Sequence, residues 1–421
     1  MQTRRNWPWL ALIIIAGIGT VGFIDRIVVN VLVEPVKTEF HLTDLQVSLM
    51  AWAFALLQIG VGLVIARLAE RFRRLTLISL GTVLWSIATA LCGYAGSWAQ
   101  LLVARMGVGL GEAIGLPSNQ SVIADYFPAS KRGLALSVLL LSPPVGAFIG
   151  FVGGGWIAQN VGWRETFLIA AIPGLLLGFA AWFFVGEPQR GQHDPQASDQ
   201  VPPISAVFKR LFALPSARNM VIGSALAAML GFGLNFFFAS LMVREFGTGL
   251  AEAGLYAGLI ASLPAALSVV ASGWLGDRLG SRNPAAYALI PAFCMLVGGP
   301  FYAFAIWQRE LPVLLALVCV ATVLNFGYLG VTFAAIQNLM HPRMRATCSA
   351  ILNGVYGVAG GLGPSLLGWM SDRLSLTHGP ARGLAMAMAI TGLAYLWASA
   401  HYFLAARRLP RDMEAVQQNP G

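Results

Sequence analysis

Charged residues are scarce in this chain: Asp, Glu, Lys and Arg together make up 11% of its 421 residues. A typical soluble protein has about 25%. Hydrophobic residues account for 57% of the chain, more apolar surface than a water-soluble domain can hide. The composition therefore excludes an ordinary soluble protein and indicates a chain that lies mostly within a lipid bilayer.

Cysteine and histidine are also few, with four and five residues. They form no CxxC pair and no His–Cys cluster with metal-ligand spacing, so the cysteines are interpreted as small core residues. A Walker A sequence is absent, which argues against ATP hydrolysis. We therefore expect neither an enzyme nor a bound metal or organic cofactor.

The net charge of +9 raises the possibility of nucleic-acid binding. The basic residues lie in short segments between apolar stretches and form no continuous patch, so a nucleic-acid partner is not expected. Arg4 and Arg5 precede an apolar run, as in a signal peptide. That run is too long and lacks a small-residue cleavage site, so it is assigned as a membrane span.

Twelve apolar stretches are each long enough to cross a bilayer, which takes about 20 residues. Strict alternation of apolar and polar residues is absent, so they are predicted to be helices rather than barrel strands. The fold class is thus an all-α membrane protein with twelve transmembrane helices. The predicted spans are 8–33, 45–67, 75–95, 98–123, 133–158, 164–185, 217–243, 252–275, 284–307, 312–337, 346–370 and 382–405.

One connection is long, polar and rich in proline, and it divides six spans from six. This predicts an N-terminal bundle at 1–186, a linker at 187–216 and a C-terminal bundle at 217–421. Within the linker, residues 204–212 could form a short amphipathic helix on the membrane surface. Nineteen Lys and Arg residues fall on the side of the termini and the linker, and six on the other. The positive-inside rule therefore places both termini and the linker in the cytoplasm, with the chain in the plasma (inner) membrane.

The two halves repeat. The loop after the second span contains Glu70-Arg71-x-x-Arg74, and the loop after the eighth contains Gly273-x-x-x-Asp277-Arg278. Parallel repeats of this kind imply a cleft between the halves with a binding site near the membrane midplane.

These two loops resemble the cytoplasmic loop signature of the major facilitator superfamily, and the resemblance extends over residues 8–405. Ile24-Asp25-Arg26 and the stretch 105–113 are similar to both the Spinster and the organic anion–cation symporter branches. The stretches 186–191, 276–284 and 361–374 favour Spinster. The resemblance implies two pseudo-symmetric six-helix bundles that work by alternating access. Eukaryotic Spinster members are associated with lysophospholipids and sphingolipids.

Four ionisable residues lie deep in the spans: Asp25, Arg26, Arg105 and Glu112. Opposed helix directions favour pairing Asp25 with Arg105, which leaves Arg26 near Glu112. One reading is a static salt-bridge network, although apolar packing would hold helices together as well. The other is proton coupling through Glu112 first and Asp25 second. Burial raises the pKa of a carboxylate and a nearby arginine lowers it, so a change in either would load or release a proton. The coupling ion would then be a proton.

The corresponding positions of the C-terminal half carry no deep charges. We expect an apolar lining with scattered amides there, although any single aromatic could equally be bundle core or lipid-facing. Together with Arg26 and Arg105, the predicted substrate-site residues are Asn235, Phe236, Asn325, Phe326, Asn353 and Tyr356.

The loop charges predict a cytoplasmic gate. Asp125 is similar in position to the acid that partners the loop arginines of the superfamily, so it is expected to pair with Arg71 or Arg74. The alternative is that these loop arginines only determine the membrane topology and form no gate. The remaining predicted gate residues are Glu70, Asp277 and Arg278.

The predicted function is proton-coupled transport of an amphipathic organic anion such as a lysolipid, by a monomer. Arg26 and Arg105 suit an acidic head, and the Phe236–Phe238 run and Phe326 suit an apolar tail. Symport of sugar acids or other small organic anions is the alternative, in which the asparagines would bind hydroxyl groups. A channel or a membrane receptor belongs to a different class, and the deep charges and the two gate loops favour a carrier over both.

Overall fold

The computed structural model describes residues 7–115, 118–189, 203–341 and 344–418, and only the backbone of residues 62–71, 118, 129, 346, 417 and 418. Within these ranges the chain forms eighteen helices and no strand. Their bounds are α1 Pro8–Val31, α2 Val33–Phe40, α3 Asp44–Arg71, α4 Arg74–Gly93, α5 Trp98–Gly115, α6 Ser118–Tyr126, α7 Ala129–Leu140, α8 Ser142–Asn160, α9 Trp163–Phe184, α10 Ile204–Ala213, α11 Pro215–Phe246, α12 Leu250–Gly280, α13 Ala286–Ile306, α14 Leu311–Phe326, α15 Tyr328–Leu339, α16 Arg345–His378, α17 Pro380–Leu393 and α18 Tyr395–Gln418.

Twelve segments of the described chain are long and apolar enough to cross a membrane. Large apolar side chains such as Ile13, Val103 and Leu263 are exposed on their outer surfaces. In water such exposure would be unfavourable, whereas lipid tails solvate these side chains. The chain is a multi-pass membrane protein, and the all-helical prediction with twelve spans is confirmed.

Several spans differ from their predicted bounds. Four consist of two consecutive helices: α5 with α6, α7 with α8, α14 with α15, and α17 with α18. Two prolines in the first turn of α8 explain the break after Leu141, because proline removes a backbone donor and clashes with the preceding turn. Helix α16 continues to His378, past the predicted end at 370, and stops at Gly379, whose φ is +81°. The apolar stretch ends before the charged pair Asp372-Arg373, and the prediction followed it. The helix itself continues, because its backbone hydrogen bonds do not depend on hydropathy.

By its internal contacts the chain divides into two compact units. One is Met1–Ala197 with Phe237–Val243 and Gly247–Gly258; the other is Ser198–Phe236 with Arg244–Phe246 and Leu259–Gly421. In the first, α4 packs against α5 and α9, and α1 packs against α8 and α9. In the second, α13 packs against α14, α17 and α18, and α16 packs against α17 and α10.

Helix α2 is a short element between the first two spans that the sequence analysis did not predict. Its Glu39 carboxylate accepts hydrogen bonds from Trp163 Nε1 at 2.7 Å and Arg164 Nη1 at 2.5 Å. Arg164 also donates to the Ala95 carbonyl at 3.0 Å. Glu39 thus joins α2 to the start of α9, and Arg164 joins both to the α4–α5 connection.

This link gives a pH prediction. The hydrogen bond from Arg164 lowers the pKa of Glu39 from its ordinary value of 4.5. A lowered pKa in the folded state means that the contribution to stability is complete above 4.5 and is lost as the pH falls through the folded-state pKa. Because Glu39 is 40% exposed, we expect its contribution to be below about 1 kcal/mol. Thermal unfolding of Glu39→Gln should show a small deficit at neutral pH that vanishes in acid. A deficit that grows in acid would contradict this.

Candidate functional site

Glycines bring the helix that carries Arg105 and Glu112 close to its neighbours. A methyl group at Gly109 of α5 would overlap the main-chain carbonyl of Phe54 in α3. One at Gly111 would lie 2.6 Å from both Cβ and N of Trp85 in α4. Neither position can carry a side chain without moving a helix. The two glycines therefore allow the close approach of α5, which carries these charges, to α3 and α4.

Glu112 of α5 is paired with Arg26 of α1. Arg26 donates to Glu112 Oε2 through Nε at 2.8 Å and also through Nη2. Gln58 Nε2 of α3 donates to the same oxygen at 3.3 Å. The other oxygen, Oε1, is buried and has no hydrogen-bond partner among the described residues. The predicted proximity of Arg26 to Glu112 is present, and three helices meet at one carboxylate.

Asp25 lies beside this pair and is fully buried. Neither of its carboxylate oxygens has a hydrogen-bond partner within the described chain. Arg105 Nη1 donates at 3.2 Å to the main-chain carbonyl of Asp25, not to its carboxylate. The Thr89 hydroxyl lies near the Asp25 carboxylate, but the geometry of the contact does not meet that of a hydrogen bond. The expected pairing of Asp25 with Arg105 is thus made through the backbone.

The two arginines share an aromatic neighbour. The Phe54 ring centroid lies 5.0 Å from Arg26 Cζ and 5.3 Å from Arg105 Cζ. The Phe23 ring centroid lies 5.2 Å from Arg26 Cζ. Aromatic faces stabilise a cation without neutralising it. The arginine charges are therefore held in place with aromatic support.

The charged side chains of this cluster differ in their solvent exposure. The side chain of Arg26 is 29% exposed and that of Glu112 is 0% exposed, while Arg105 is only 2% exposed. Arg26 is therefore the member of the cluster that a ligand could reach. Chemically, the cluster offers a reachable cation and two buried carboxylates with vacant hydrogen-bonding positions, each of which could hold a proton.

Gln58 and Phe54 were missed by the sequence analysis. Gln58 is a lone amide within an apolar span, which was a usable signal because polar groups inside a membrane are usually paired or functional. Phe54 gave no signal, since one more aromatic in a hydrophobic stretch is indistinguishable from core.

A second cluster forms where α4 begins. Arg74 Nη1 donates to Asp125 Oδ2 at 2.5 Å and to Ser121 Oγ at 2.8 Å. Arg74 Nε donates to Glu187 Oε1 at 2.9 Å, and the Leu75 amide donates to Glu187 Oε2 at 2.9 Å. The predicted pair of Arg74 with Asp125 is present. Glu187, the first residue of the predicted linker, completes the cluster.

The remaining gate predictions have different outcomes. The side chains of Glu70 and Arg71 lie outside the described residues. In α12, Arg278 lies over the Trp274 ring, 5.2 Å from its centroid. Asp277 lies close to the Tyr287 hydroxyl. Asp277 and Arg278 therefore contact different neighbours.

The predicted lining residues of the C-terminal half lie on three helices: Asn235 and Phe236 on α11, Asn325 and Phe326 at the end of α14, and Asn353 and Tyr356 on α16. Phe236 is 3% exposed, whereas Asn353 is exposed. The Asn325 Oδ1 and Tyr356 hydroxyl oxygens are buried without hydrogen-bond partners among the described residues. The Tyr356 ring packs edge-on against Tyr328 and Phe333. The Tyr356 hydroxyl lies near Ser224 of α11.

Comparison with known proteins identifies the family. Residues 13–364 match the sequence model of the Major Facilitator Superfamily. An MFS-type efflux pump of Mycolicibacterium smegmatis is 30% identical over 96% of this chain and 94% of its own. The sphingosine-1-phosphate transporter SPNS2 of Danio rerio is 25% identical over 99% of this chain and 88% of its own.

A solved structure agrees with these relatives. It is a bacterial homologue of the human lysosomal transporter Spinster, in an inward-facing and unoccupied conformation, and it is 28% identical to this chain. It superposes with a TM-score of 0.89, over 97% of this chain and 98% of its own. The chain belongs to the Major Facilitator Superfamily, as a membrane transporter of the Spinster type and not an enzyme.

Proposed function

We propose that the chain is a proton-coupled secondary transporter that moves an amphipathic organic anion, such as a lysolipid, by alternating access. One observation carries the proposal: two fully buried carboxylates, Asp25 and Glu112, have three oxygens without hydrogen-bond partners among the described residues. A buried ionised carboxylate normally satisfies its oxygens. Vacant oxygens therefore favour a group that gains and loses a proton.

Arg26 supplies the link between proton and substrate. When Glu112 is ionised it holds Arg26 through two donors on one oxygen. Protonation of Glu112 would weaken that charge-assisted contact and free the guanidinium for an anionic headgroup. A substrate that competes for Arg26 would in turn favour protonation of Glu112. Such linkage is reciprocal, which is the thermodynamic requirement for coupled transport.

The substrate class rests on the same arginine and on the relatives. Arg26 is the accessible cation and has the Phe23 and Phe54 rings beside it, which suits an acidic head attached to an apolar body. The efflux pump and the sphingosine-1-phosphate transporter support an exported amphipath. Arg105 is buried, so we assign it to positioning Asp25 rather than to binding the substrate.

The substrate proposal is tested by ligand-induced thermal stabilisation of the purified transporter. We expect sphingosine 1-phosphate or lysophosphatidylglycerol to raise the unfolding temperature, and hexonates to have no effect. Stabilisation at a hundred-fold excess over the dissociation constant amounts to about 2.7 kcal/mol. Arg26→Gln should lose the shift, whereas the exposed control Arg309→Gln should keep it. Stabilisation by hexonates alone would overturn the lysolipid assignment in favour of a symporter of small organic anions.

Gating and orientation complete the proposal. Arg74 with Asp125, together with Glu70, Arg71, Asp277 and Arg278, would close the cytoplasmic ends of the helices in the outward-open state. The excess of basic residues supports cytoplasmic termini and linker in the plasma membrane, and the carrier would act as a monomer. Labelling of an engineered cysteine at residue 411 from outside intact cells would contradict this orientation.

A further inference from the structure

The hydroxyl group of Thr89 is an exception among the buried hydroxyls of α4. Thr82, Ser86 and Thr89 are each 0% exposed. Thr82 and Ser86 donate hydrogen bonds to main-chain carbonyls one turn earlier, at 2.7 Å and 2.8 Å, which satisfies these hydroxyls within the helix. The Thr89 hydroxyl has no hydrogen-bond partner among the described residues. Its own helix does not satisfy it, and a buried polar group of this kind requires another explanation.

The group beside Thr89 is the carboxylate of Asp25 in α1. The two side chains lie near each other, and both Asp25 oxygens are buried without a hydrogen-bond partner within the described chain. A hydroxyl group donates one hydrogen bond, accepts others, and rotates to suit its neighbours. Thr89 can therefore give its proton to Asp25 while its oxygen accepts a proton from a second donor.

The other ionisable groups around Asp25 come from α4 and α5. They are Cys92, Arg105 and Glu112. Arg26, the next residue of α1, is held by Glu112. Among the other helices packed on α1, α8 has no ionisable residue, and α2, α6, α7 and α9 carry theirs at or beyond the ends of the spans. Cys92 follows Thr89 by one turn on the same face of α4, and its thiol is fully buried. This face of α4 therefore continues from Thr89 to a second group with a transferable proton.

Asp25 and Thr89 lie near one end of their unit, and Glu112 lies deeper. Thr89 is about 6 Å from the C-terminal end of α4, and Asp25 is about 9 Å from the C-terminal end of α1. Glu112 is about 21 Å from the start of α5, which lies at the same end. Just past α4, the Ala95 carbonyl accepts a hydrogen bond from Arg164 at 3.0 Å, and Arg164 is 32% exposed. Less than about two helical turns thus separate Thr89 from a solvent-exposed group, at the end that the basic residues assign to the outer side.

We propose that Thr89 is a proton-relay residue through which Asp25 exchanges protons with the aqueous phase at the outer end of α4. The Thr89 hydroxyl gives its proton to a carboxylate oxygen of Asp25 as it accepts one from a hydronium ion on the Cys92 side, which becomes water. Release follows the reverse order, so only O–H bonds form and break. Glu112 exchanges its proton separately, beside the exposed Arg26. The inference rests on the proposed proton coupling and assigns Asp25 to the outer side.

The first test measures access from the outer side. Cys92 is kept as the single cysteine of the full chain, with Cys294, Cys319 and Cys348 replaced by alanine. Membrane vesicles of either orientation are treated with silver nitrate, since silver ions are small, hydrated and bind thiolates. The thiol that remains free is then labelled with a maleimide after denaturation. We expect silver to protect Cys92 from the outer face and not from the inner face. Equal protection from both faces, protection from the inner face alone, or no protection would overturn the outer access.

The second test removes the hydroxyl group. In Thr89→Val the side chain keeps its branched shape but cannot relay a proton. We expect transport driven by a pH gradient to slow by roughly 100-fold, at the lower end of what a positioned proton-transfer group contributes. Substrate exchange at equal pH and the unfolding temperature should stay as in the wild type. Thr89→Ser should restore the rate. Thr82→Val is the matched control, because Thr82 is equally buried but its hydroxyl is bound to its own helix, and it should transport as the wild type does.

The outcomes separate the relay from proton coupling itself. Gradient-driven transport at the wild-type rate in Thr89→Val, with coupling lost in Glu112→Gln, would overturn the relay and leave proton coupling in place. Equal losses of exchange and of gradient-driven transport in Thr89→Val would indicate a structural role and would also overturn the relay. Coupling retained in both variants would overturn the relay and the proposed function together.

Discussion

Replacing Glu112 by Gln is expected to abolish transport driven by a pH gradient while leaving substrate binding and exchange in place. Glutamine has the shape of glutamate and can still accept a hydrogen bond from Arg26 through its carbonyl oxygen. It cannot ionise, so the charge at the meeting point of α1, α3 and α5 no longer changes with proton binding. Substrate can still cross the membrane, but protons can no longer drive it.

The size of the effect follows from typical coupling free energies. Two coupled ligands usually influence each other by about 1–3 kcal/mol, or roughly 5- to 150-fold in affinity. In the wild type we therefore expect substrate affinity to change roughly 5- to 150-fold with the protonation of Glu112. In Glu112→Gln, substrate affinity should not depend on pH. Flux in proteoliposomes, with and without a pH gradient, separates the two modes. Glu252→Gln, at an exposed carboxylate near the start of α12, is the matched control and should retain coupling.

Asp25→Asn is the companion variant. Its carboxylate lacks partners within the described chain, so the amide should be tolerated in the fold. A partial loss of coupling would assign Asp25 an auxiliary role. Full gradient-driven transport in both Glu112→Gln and Asp25→Asn would remove proton coupling from these sites.

Replacing Arg74 by Ala is expected to destabilise the protein more than any other single loop charge. Arg74 is almost fully buried and donates to Asp125, Glu187, Ser121 and the Pro188 carbonyl. Its removal takes away the guanidinium that the Asp125 and Glu187 carboxylates share. Removing one partner of a buried ion pair costs about 3–5 kcal/mol. The lower end, about 3 kcal/mol, applies because Asp125 and Glu187 are each 16% exposed.

The neighbouring arginine provides the control. Arg73 is exposed and immediately precedes α4, so Arg73→Ala removes the same charge from the same loop and should change stability by less than about 0.5 kcal/mol. Thermal unfolding of both variants in one detergent gives the comparison. If Arg74 also forms part of the gate, Asp125→Asn should shift the population toward the inward-facing state, measured by spin-label distances across the cytoplasmic ends. Equal unfolding temperatures for Arg73→Ala and Arg74→Ala would contradict the structural role.

The fold could be predicted from the sequence because lipid imposes a single backbone solution. Hydropathy locates the spans, and internal hydrogen bonding makes each of them a helix. Hydropathy could not locate the C-terminal end of α16, because the helix continues past Asp372 and ends only at Gly379, which adopts a positive φ. Nor could it find α2, whose stability comes from Glu39 contacting Trp163 and Arg164 more than a hundred residues later.

The site shows the same division. The scarcity of charge in the spans was enough to single out Asp25, Arg26, Arg105 and Glu112, and helix direction was enough to place Arg26 near Glu112. The contact of Arg105 with a carbonyl depends on side-chain geometry that no spacing rule gives. The part played by Glu187 depends on the linker returning to α4, and a linker has no periodicity from which its path could be predicted.

The central claim is that proton and substrate movements are coupled through Glu112. It is tested most directly by recording the internal pH of proteoliposomes after anionic lysolipid is added outside, with no initial gradient. We predict a pH change in the wild type, alkaline for antiport and acidic for symport, and none in Glu112→Gln at equal protein and substrate. Substrate flux in the wild type with no change in internal pH, or an equal change in both proteins, would contradict the account.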